Sequence, residues 1–356
     1  MKVLFVAAKK GCGFAPFVEE QAQALRALAV EPAALDAGHL DAARLDATHL
    51  EKVEVVDYAH TAHGIANYMK WVPKLHKVIK EIKPDVVHAH FGLTGLLAGL
   101  AAIGTGVPVV VTYHGCDIND KKLRPFSRMA MRLAAWNIFV SRRQMINAYG
   151  SEKRAAKAAK GSVMPCGINT SLFDAGQIDT IWFESKFGKG ENILFAGSLE
   201  AFVKDPELAK SVICNLKSKM SSNNIELIEL KGYTREQVAT LMYKCKALLL
   251  TSVREGSPQV IKEAMACNCP IVSTNVGDVE ERLEGLEGCF VVGEKRKENG
   301  EWSSESREQV IQYLSEALEK AISYGRTKGR EKLLADGLDN EQIACKLLQI
   351  YEQVKR

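Results

Sequence analysis

Short apolar runs alternate with longer segments of helical periodicity through the first half of the chain. The runs predict six strands: Val3–Val6, Val53–Val56, Asp85–His90, Val107–Thr112, Asn137–Ser141 and Val163–Pro165. Helices are predicted to begin at Pro16 and near Pro73, and the first carries four apolar residues on one side: Val18, Ala22, Leu25 and Ala29. Such an alternation is typical of a parallel sheet with helices on both faces.

The pattern restarts after the polar segment Asn169–Asp174. Five more strands are predicted: Asn192–Ala196, Ile225–Leu230, Ala247–Thr251, Ile271–Thr274 and Phe290–Val292. A helix is predicted to begin near Asp205 and Pro206, and long helices follow Ser304. Because 356 residues suit two domains, we predict one over residues 1–168, a second over residues 169–335 and a terminal helix over residues 336–356.

The helix after the third of these later strands begins with a start signal. Ser257 is expected to be the N-cap and Pro258 the first helical residue. Because proline has no N–H, the first free donors are the amides of Gln259 and Val260. A helix N-terminus attracts anions, so the sequence predicts an anion site here.

Two carboxylates flank the predicted anion site. Glu255 lies just before the cap, and the side chain of Glu263 leans back towards the helix start. A nucleotide sugar offers the matching combination, a diphosphate between the hydroxyls of a ribose and those of a hexose. The helix is predicted to end at Asn268, which tolerates a left-handed backbone, because Pro270 blocks its continuation.

The segment from Glu255 to Cys267 reads E-G-x-P-x-x-x-x-E-A-M-A-C and precedes a strand led by proline. This pattern resembles the donor-site signature of the retaining glycosyltransferases of family 4, the group 1 glycosyl transferases. Asn268 stands where that family commonly has glycine. The resemblance covers most of the chain from Asp85 to Val292. It implies the α/β architecture called GT-B, in which two Rossmann-like parallel-sheet domains face each other across a cleft and the last helix crosses back to the first domain.

By this resemblance, the second domain binds the diphosphate of the donor. The family carries a basic residue beside a glycine that matches Gly197, and a lysine a few positions on that matches Lys204. Ser198 stands at the basic position, so one charge is missing. Arg254 or a residue of the basic first domain is the candidate to replace it.

The resemblance also implies that Glu255 holds the hexose and Glu263 the ribose. Tyr233 is a candidate to stack on the base, with an ordinary exposed loop tyrosine as the alternative. The full set of predicted donor-binding residues is Gly197, Ser198, Lys204, Tyr233, Glu255, Gly256, Ser257, Pro258, Gln259, Val260 and Glu263.

In the first domain, a polar cluster follows the strand that ends at Thr112. Ligands of parallel α/β sheets bind at this end of the strands. The segment from His114 to Asp117 resembles the family's cleft motif, in which the histidine contacts the transferred sugar; a histidine that caps the next helix is the alternative. The predicted acceptor-binding residues are Gly11, Gly13, His90 and Asp117, and the predicted catalytic residues are His114, Lys204 and Glu255.

Two segments near the start of the chain have weaker signals. The loop through Gly11 and Gly13 is a poor dinucleotide fingerprint because Pro16 stands where a small residue is needed, which disfavours a dehydrogenase. In the family the equivalent loop lies under the bound substrates, and an ordinary tight turn is the alternative. Residues 35–50 nearly repeat themselves and are predicted to form a helical insertion without an assigned function.

The sequence predicts no metal and no other cofactor. His88 and His90 share a strand face, but no suitable third ligand follows them. Cys267 and Cys269 have one residue between them and no histidine nearby, and no D-x-D carboxylate pair is present. The donor site is therefore expected to rely on charges of the protein.

Charge is distributed unevenly along the chain. The net charge of +4 combines +8 in residues 1–170 with −4 in the remainder, and residues 121–160 hold 11 basic residues and 1 acidic residue. This basic region can hold an anionic acceptor, a lipid-linked phosphate or a membrane surface. Solvated helix faces are the alternative, since Arg124, Arg128 and Arg132 share one side of a helix. No nucleic-acid partner is expected.

Composition restricts the location of the protein. Apolar residues make up 47% and charged residues 25%, which are globular values, and no apolar run approaches the length of a membrane span. The nine cysteines form no C-x-x-C pair, and the opening apolar run is too short for a signal peptide. We therefore expect a cytoplasmic protein, with peripheral contact at the cytoplasmic membrane face as a further option.

These observations predict a metal-independent hexosyltransferase that moves a sugar from a nucleotide diphosphate sugar to a glycan, a lipid-linked acceptor or another glycoconjugate, in cell-surface polysaccharide biosynthesis. The resemblance implies that the enzyme is retaining. Retention without a placed carboxylate nucleophile indicates attack on the face from which the diphosphate leaves. A sugar-nucleotide epimerase of the same architecture and a catalytically silent nucleotide-sugar binder are the alternatives. The base, the sugar, the acceptor and the oligomeric state are not identified by the sequence.

Overall fold

The computed structural model describes residues 1–9, 13–28, 53–61, 65–220, 224–293, 301–302 and 306–355. The chain forms two compact units, of which unit 1 comprises Met1–Gly167 with Gly337–Arg356, and unit 2 comprises Ile168–Asp336. The predicted helical insertion at residues 35–50 and the predicted acceptor residue Gly11 lie outside the described residues.

Each unit is built on one parallel sheet, as predicted. The strands are β1 Lys2–Ala8, β2 Glu54–His60, β3 Val86–His90, β4 Val109–Tyr113, β5 Trp136–Phe139, β6 Gly161–Val163, β7 Glu191–Phe195, β8 Ile225–Glu229, β9 Ala247–Leu250, β10 Ile271–Thr274 and β11 Phe290–Val292. Both β3 and β4 are buried along their whole length, which is the apolar pattern expected of strands covered on both faces. The eleven predicted strands are all present, although β6 ends where its prediction begins, at Val163.

Helices connect the strands and cover the sheets. They are α1 Pro16–Leu28, α2 Ile65–Ile82, α3 Gly92–Ala102, α4 Cys116–Asn119, α5 Arg124–Leu133, α6 Arg142–Tyr149, α7 Glu152–Ala156, α8 Thr180–Phe187, α9 Pro206–Met220, α10 Arg235–Lys244, α11 Gln259–Ala266, α12 Val279–Leu283, α13 Arg307–Tyr324, α14 Gly329–Ala335 and α15 Asn340–Val354. The predicted helix starts at Pro16 and Pro206 are confirmed.

The prediction that a helix begins near Pro73 is wrong. The helix α2 begins at Ile65, and Pro73 lies inside it. Proline removes one backbone hydrogen bond from a helix interior. The helix continues nevertheless because Leu75 and Ile79, which follow the proline, are buried in the core of unit 1.

The chain end contributes to unit 1. The helix α15 packs against α1, and both cover one face of the first sheet. Tyr351 of α15 is fully buried, and its hydroxyl lies 2.6 Å from Nδ1 of His88 on β3. The terminal helix is therefore part of the core around the first sheet.

Strand order locates the ligand edge of each sheet. The orders are β2-β1-β3-β4-β5-β6 in unit 1 and β11-β10-β9-β7-β8 in unit 2, with parallel pairing throughout. In each sheet the first strand lies between the second and the third. The order in which strands are added along the sheet therefore reverses beside the first strand. Open α/β sheets bind ligands outside the carboxyl ends of the strands at this switch point, between β1 and β3 and between β7 and β9.

The C-terminus of α11 confirms the predicted left-handed residue. Asn268 has a φ of 53°, and the amides of Asn268 and Cys269 donate to the carbonyls of Met265 and Ala264, which is a Schellman motif. The side chain of Asn268 adds a contact that glycine lacks, because its Oδ1 accepts a hydrogen bond of 2.8 Å from the amide of Arg330.

We expect Asn268→Ala to destabilise unit 2 by about 2–3 kcal/mol. Alanine is strained in the left-handed region by about 1–2 kcal/mol, and the hydrogen bond to Arg330 is worth about 1 kcal/mol. Asn268→Gly removes the strain and loses only the hydrogen bond, so it should cost no more than about 1 kcal/mol. Urea unfolding of the three proteins measures the difference, and equal losses for both variants would contradict this account.

Candidate functional site

Lys204 and Glu255 meet where β7 and β9 end. These strands are neighbours, with Phe195 paired to Leu249, and they flank the switch point of the second sheet. Lys204 lies in the segment after β7 and Glu255 in the segment after β9, and the Nζ of the lysine is 2.6 Å from Oε1 of the glutamate. The side chains are only 23% and 18% exposed. A partly buried ion pair therefore stands where such a sheet binds ligands.

Gly197 leaves room for the side chain of Lys204. A Cβ atom at position 197 would lie 2.8 Å from Cγ of Lys204 and 3.0 Å from its Cδ. Any larger residue would push the aliphatic part of the lysine away from the end of β7. Gly197 is thus required for close packing against Lys204.

Thr251, the residue that follows β9, holds the backbone around Lys204. The hydroxyl of Thr251 lies 2.7 Å from the carbonyl oxygen of Lys204 and 3.0 Å from that of Asp205. Asp205 has a left-handed φ of 48°, its Oδ1 accepts from the amide of Leu208, and it pairs with Arg307 at 3.0 Å. A non-glycine residue in this region costs of order 1–3 kcal/mol, so the surrounding contacts must hold it in place.

Two neighbours support Glu255. The hydroxyl of Ser252 donates to its Oε1 at 2.9 Å, the same oxygen that receives Lys204. Gly277 lies behind the loop with a φ of 60°, and a Cβ atom there would be 2.8 Å from the carbonyl oxygen of Gly256 and 3.2 Å from Cβ of Glu255. The hydrogen bond from Ser252 therefore fixes the carboxylate of Glu255, and close packing against Gly277 fixes the loop that carries it.

The N-terminus of α11 is one residue shorter than predicted. Pro258 is the N-cap, with ψ at 118°, and this cap position provides no side-chain hydrogen bond. The predicted capping by Ser257 is wrong because the extended ψ of Pro258 delays the helix until Gln259. The first-turn amides include those of Gln259 and Val260, as predicted.

Glu263 lies one turn further along α11 and is paired with Arg235. Its side chain is 7% exposed, and Oε1 lies 2.6 Å from a guanidinium nitrogen of Arg235. The guanidinium carbon lies 5.0 Å from the ring centroid of Phe173. The sequence did not indicate Arg235, because it stands 28 positions before its partner.

The remaining predicted donor residues are less constrained. Tyr233 packs edge-on against Trp182, with the Nζ of Lys186 4.5 Å from its ring centroid. The hydroxyl of Ser198 accepts from the amide of Glu200. Arg254 is exposed and forms no hydrogen bond or ion pair with the part of the chain that the structure describes.

In unit 1 a chain of side chains links the ends of β3 and β4. Nε2 of His114 lies 3.1 Å from Nδ1 of His90, and Nδ1 of His114 lies 3.6 Å from the sulfur of Cys166. Burial lowers the pKa of His90 to about 3, and burial together with the two other histidines holds the pKa of His88 well below its usual value. His88 and His90 are therefore neutral at physiological pH.

Two of the residues predicted to contact the acceptor are buried. His90 is fully buried, and its Nδ1 lies 3.1 Å from Nε2 of His114. Asp117 is also buried, and its carboxylate accepts from the backbone amides of Gly92, His114 and Gly115. Both residues shape the loops at the ends of β3 and β4, and motif similarity alone could not reveal their burial.

Asp117 makes stability depend on pH. Burial raises its pKa to about 6, although the backbone amides oppose the shift. Because the folded state then binds the proton more tightly than the unfolded state, the free energy of unfolding should fall as pH rises from about 4 to about 6, by at most about 3 kcal/mol. We expect urea-unfolding curves at about pH 4.5 and about pH 6.5 to show this slope in the wild type and to lack it in Asp117→Asn. Parallel slopes in both proteins would contradict the assignment.

Other predicted features of unit 1 have simple surroundings. Gly13 is exposed, and a Cβ atom there would meet nothing within 4 Å. Arg124 and Arg128 of the basic region donate to the carbonyls of Ile118 and Ala148, so these two cations also support local structure. Among the described residues, no three histidine, cysteine or acidic side chains are grouped so that they could hold a metal ion.

Both halves of the chain match family models. Residues 13–172 match the model described as Glycosyltransferase Family 4, and residues 191–301 match the model described as Glycosyl transferases group 1. None of the helices that the structure describes is both long enough and apolar enough to cross a membrane.

Curated relatives share about a quarter of their residues with the chain. An uncharacterized glycosyltransferase of Methanocaldococcus jannaschii is 26% identical over 288 residues, covering 77% of this chain and 75% of the relative. The Campylobacter jejuni enzyme named GalNAc-alpha-(1->4)-GalNAc-alpha-(1->3)-diNAcBac-PP-undecaprenol alpha-1,4-N-acetyl-D-galactosaminyltransferase is 25% identical over 257 residues, covering 65% and 67%. The Escherichia coli UDP-Gal:alpha-D-GlcNAc-diphosphoundecaprenol alpha-1,3-galactosyltransferase is 25% identical over 248 residues, covering 58% and 62%.

Solved structures resemble the whole chain in fold. Sucrose-phosphate synthase from Thermosynechococcus elongatus has a TM-score of 0.68 at 15% identity, covering 99% of this chain and 98% of its own. A UDP-forming trehalose-phosphate synthase from Burkholderia xenovorans has a TM-score of 0.69 at 12% identity, covering 99% of both chains. HepE from Anabaena in complex with UDP has a TM-score of 0.65 at 15% identity, covering 99% and 100%.

Proposed function

Because this chain belongs to the group 1 glycosyl transferases of family 4 and has the GT-B fold class, we propose that it is a retaining hexosyltransferase that uses a nucleotide diphosphate sugar as donor. The observation that carries the proposal is the ion pair between Lys204 and Glu255, 2.6 Å apart at the switch point of the second sheet. A cation for the diphosphate and a carboxylate for the hexose stand side by side there, next to the N-terminus of α11.

Each part of the donor has a partner of matching chemistry. Lys204 and the first-turn amides of α11 face the diphosphate, and Glu255 takes the hexose hydroxyls once the phosphate attracts Lys204. Glu263 takes the ribose hydroxyls. Arg254 supplies the charge that Ser198 lacks, which is consistent with its exposed guanidinium.

His114 contributes a contact to a hexose hydroxyl. Its Nδ1 lies 3.6 Å from the Cys166 sulfur, and sulfur is a weak hydrogen-bonding group. A sugar hydroxyl can therefore displace the Cys166 sulfur from Nδ1 of His114. The contact between His90 and Nε2 of His114 holds the imidazole ring in place meanwhile. His90 acts on the sugar only through His114.

The chemical step follows from these charges. The bond between the anomeric carbon and the diphosphate oxygen breaks, and the acceptor oxygen bonds to the same face of that carbon. The proton of the acceptor hydroxyl passes to the departing phosphate. Preorganised positive charge at Lys204 and at the helix end stabilises the leaving group, so no divalent ion is needed. Activity that persists in excess EDTA is the expected result, and its loss would contradict this part of the proposal.

We further propose a lipid-linked acceptor for cell-surface polysaccharide synthesis. Two of the relatives are named for substrates linked to undecaprenyl diphosphate. The basic region 121–160 suits such an anionic acceptor and an anionic membrane face, with Arg132, Lys157 and Lys160 exposed within it. Such contact would place the protein at the cytoplasmic face of the membrane.

Incubation with nucleotide sugars tests the proposal. UDP-sugars come first, because HepE, which has a similar fold, has been crystallised with UDP and with UDP-glucose. Release of the nucleotide diphosphate together with an α-linked product from an α-linked donor, assigned by NMR, supports the retaining transferase. A stereoisomeric nucleotide sugar would indicate an epimerase, and tight binding without turnover would indicate a silent binder; either would overturn the proposal.

A further inference from the structure

Within the described part of the chain, only one of the two carboxylate oxygens of Glu263 is bonded to another side chain. Oε1 lies 2.6 Å from the guanidinium of Arg235, whereas Oε2 forms no hydrogen bond with the residues that the structure describes. Since the side chain is only 7% exposed, little solvent competes for it. One oxygen is therefore fixed, and the other is the acceptor left for a ligand.

Arg235 is itself held in place. It is the first residue of α10, whose start is fixed by a capping box between Thr234 and Gln237. Its guanidinium stacks on the buried ring of Phe173, and the carbonyl of Phe173 in turn accepts from Arg330 at 2.8 Å. A planar guanidinium can stack on a ring and pair with a carboxylate at the same time, which an ammonium group does less well.

We infer that Arg235 is a positioning residue that fixes Glu263 for the donor ribose and so sets the preference for ribonucleotides over 2′-deoxyribonucleotides. The inference rests on the proposed function, in which Glu263 accepts from the ribose. When Arg235 holds one oxygen of the carboxylate, the other oxygen points in a single direction. The carboxylate therefore binds best to a ligand that has a hydroxyl at one defined position. Without Arg235 the carboxylate can rotate, and its selectivity for that hydroxyl falls.

A direct contact between Arg235 and the diphosphate fits the geometry less well. The guanidinium pairs with Glu263 at 2.6 Å and covers the Phe173 ring, and only 30% of the side chain is exposed. Its charge is therefore largely balanced within unit 2. The phosphate-binding role remains with Lys204, which comes from a different segment of the chain.

Calorimetry with UDP, GDP and their 2′-deoxy counterparts tests the inference. The wild type should prefer the ribonucleotide by at least about 10-fold, because the 2′-deoxy ligand leaves a buried acceptor without its donor. In Arg235→Met the preference should fall below about 3-fold, and Arg235→Lys should be intermediate. With saturating acceptor, Arg235→Met should raise the donor KM by far more than it lowers kcat, because the ribose is remote from the bond that breaks.

Further variants separate the outcomes. If Arg235 acts through Glu263, then Arg235→Met combined with Glu263→Gln should show the same low preference as Glu263→Gln alone. Arg26→Met, which breaks a pair of 2.5 Å with Asp57 in unit 1, is the matched control and should leave the preference unchanged. A preference retained in Arg235→Met, or equal losses for ribonucleotides and deoxyribonucleotides, would overturn the inference. No binding of any nucleotide by the wild type would overturn the proposed function, and this inference with it.

Discussion

Replacing Lys204 with alanine is expected to lower kcat by at least about 100-fold, equivalent to about 2.7 kcal/mol of transition-state stabilisation. The departing diphosphate gains negative charge as its bond to the sugar breaks, and Lys204 is the cation held at the end of β7. Its removal also leaves the carboxylate of Glu255, 18% exposed, beside the phosphate without its partner. Steady-state kinetics with saturating donor and acceptor measure the loss.

Two comparisons isolate the charge of Lys204. Lys204→Met keeps the aliphatic stem that packs over Gly197, so it should lose as much activity as Lys204→Ala while melting closer to the wild type. Lys210→Ala removes a lysine that pairs with Glu207 at 2.8 Å on the exposed face of α9, and it should retain wild-type kcat. Near-normal turnover in Lys204→Met would show that another residue stabilises the leaving group.

Local signals explain which features the sequence could predict. The C-terminus of α11 depends on neighbours within a few positions, so Asn268 and Pro270 were enough to place it. The burial of a strand can be predicted from its own apolar run, and β4, which is buried along its whole length, is an example. Pro73 misled the prediction because burial of one helix face outweighed a single missing hydrogen bond, and that burial depends on the rest of unit 1.

Contacts between distant segments explain what the sequence could not predict. Lys204 and Glu255 stand 51 positions apart, and their pairing follows from β7 and β9 being neighbours. Family resemblance supplied both residues but not Thr251, which holds the Lys204 backbone from the end of β9. Resemblance also predicts His90 and Asp117 as acceptor contacts, but it does not indicate that both side chains are buried. A motif identifies a position in the chain, and only packing decides whether its side chain is accessible.

Removal of the Glu263 carboxylate is the complementary test of the donor site. We expect Glu263→Ala to raise the Kd of the nucleotide diphosphate by about 10- to 100-fold, since charge-assisted hydrogen bonds are worth about 1.5–3 kcal/mol. The substitution removes the acceptor for the ribose and leaves Arg235 without the partner 2.6 Å from it. Glu263→Gln keeps the shape of the side chain and should lose most of the same affinity, because it replaces a charged acceptor by a neutral one.

The controls for Glu263 follow from its burial. Glu207→Ala removes an exposed carboxylate that also pairs with a lysine, and it should bind the nucleotide with wild-type affinity. Thermal melts identify any loss of folding in the Glu263 variants, and a folded Glu263→Gln protein is sufficient for the comparison. Unchanged affinity in calorimetry would refute the ribose assignment. Because Lys204 acts on turnover and Glu263 on donor binding, the two substitutions together separate the chemical step from recognition of the nucleotide.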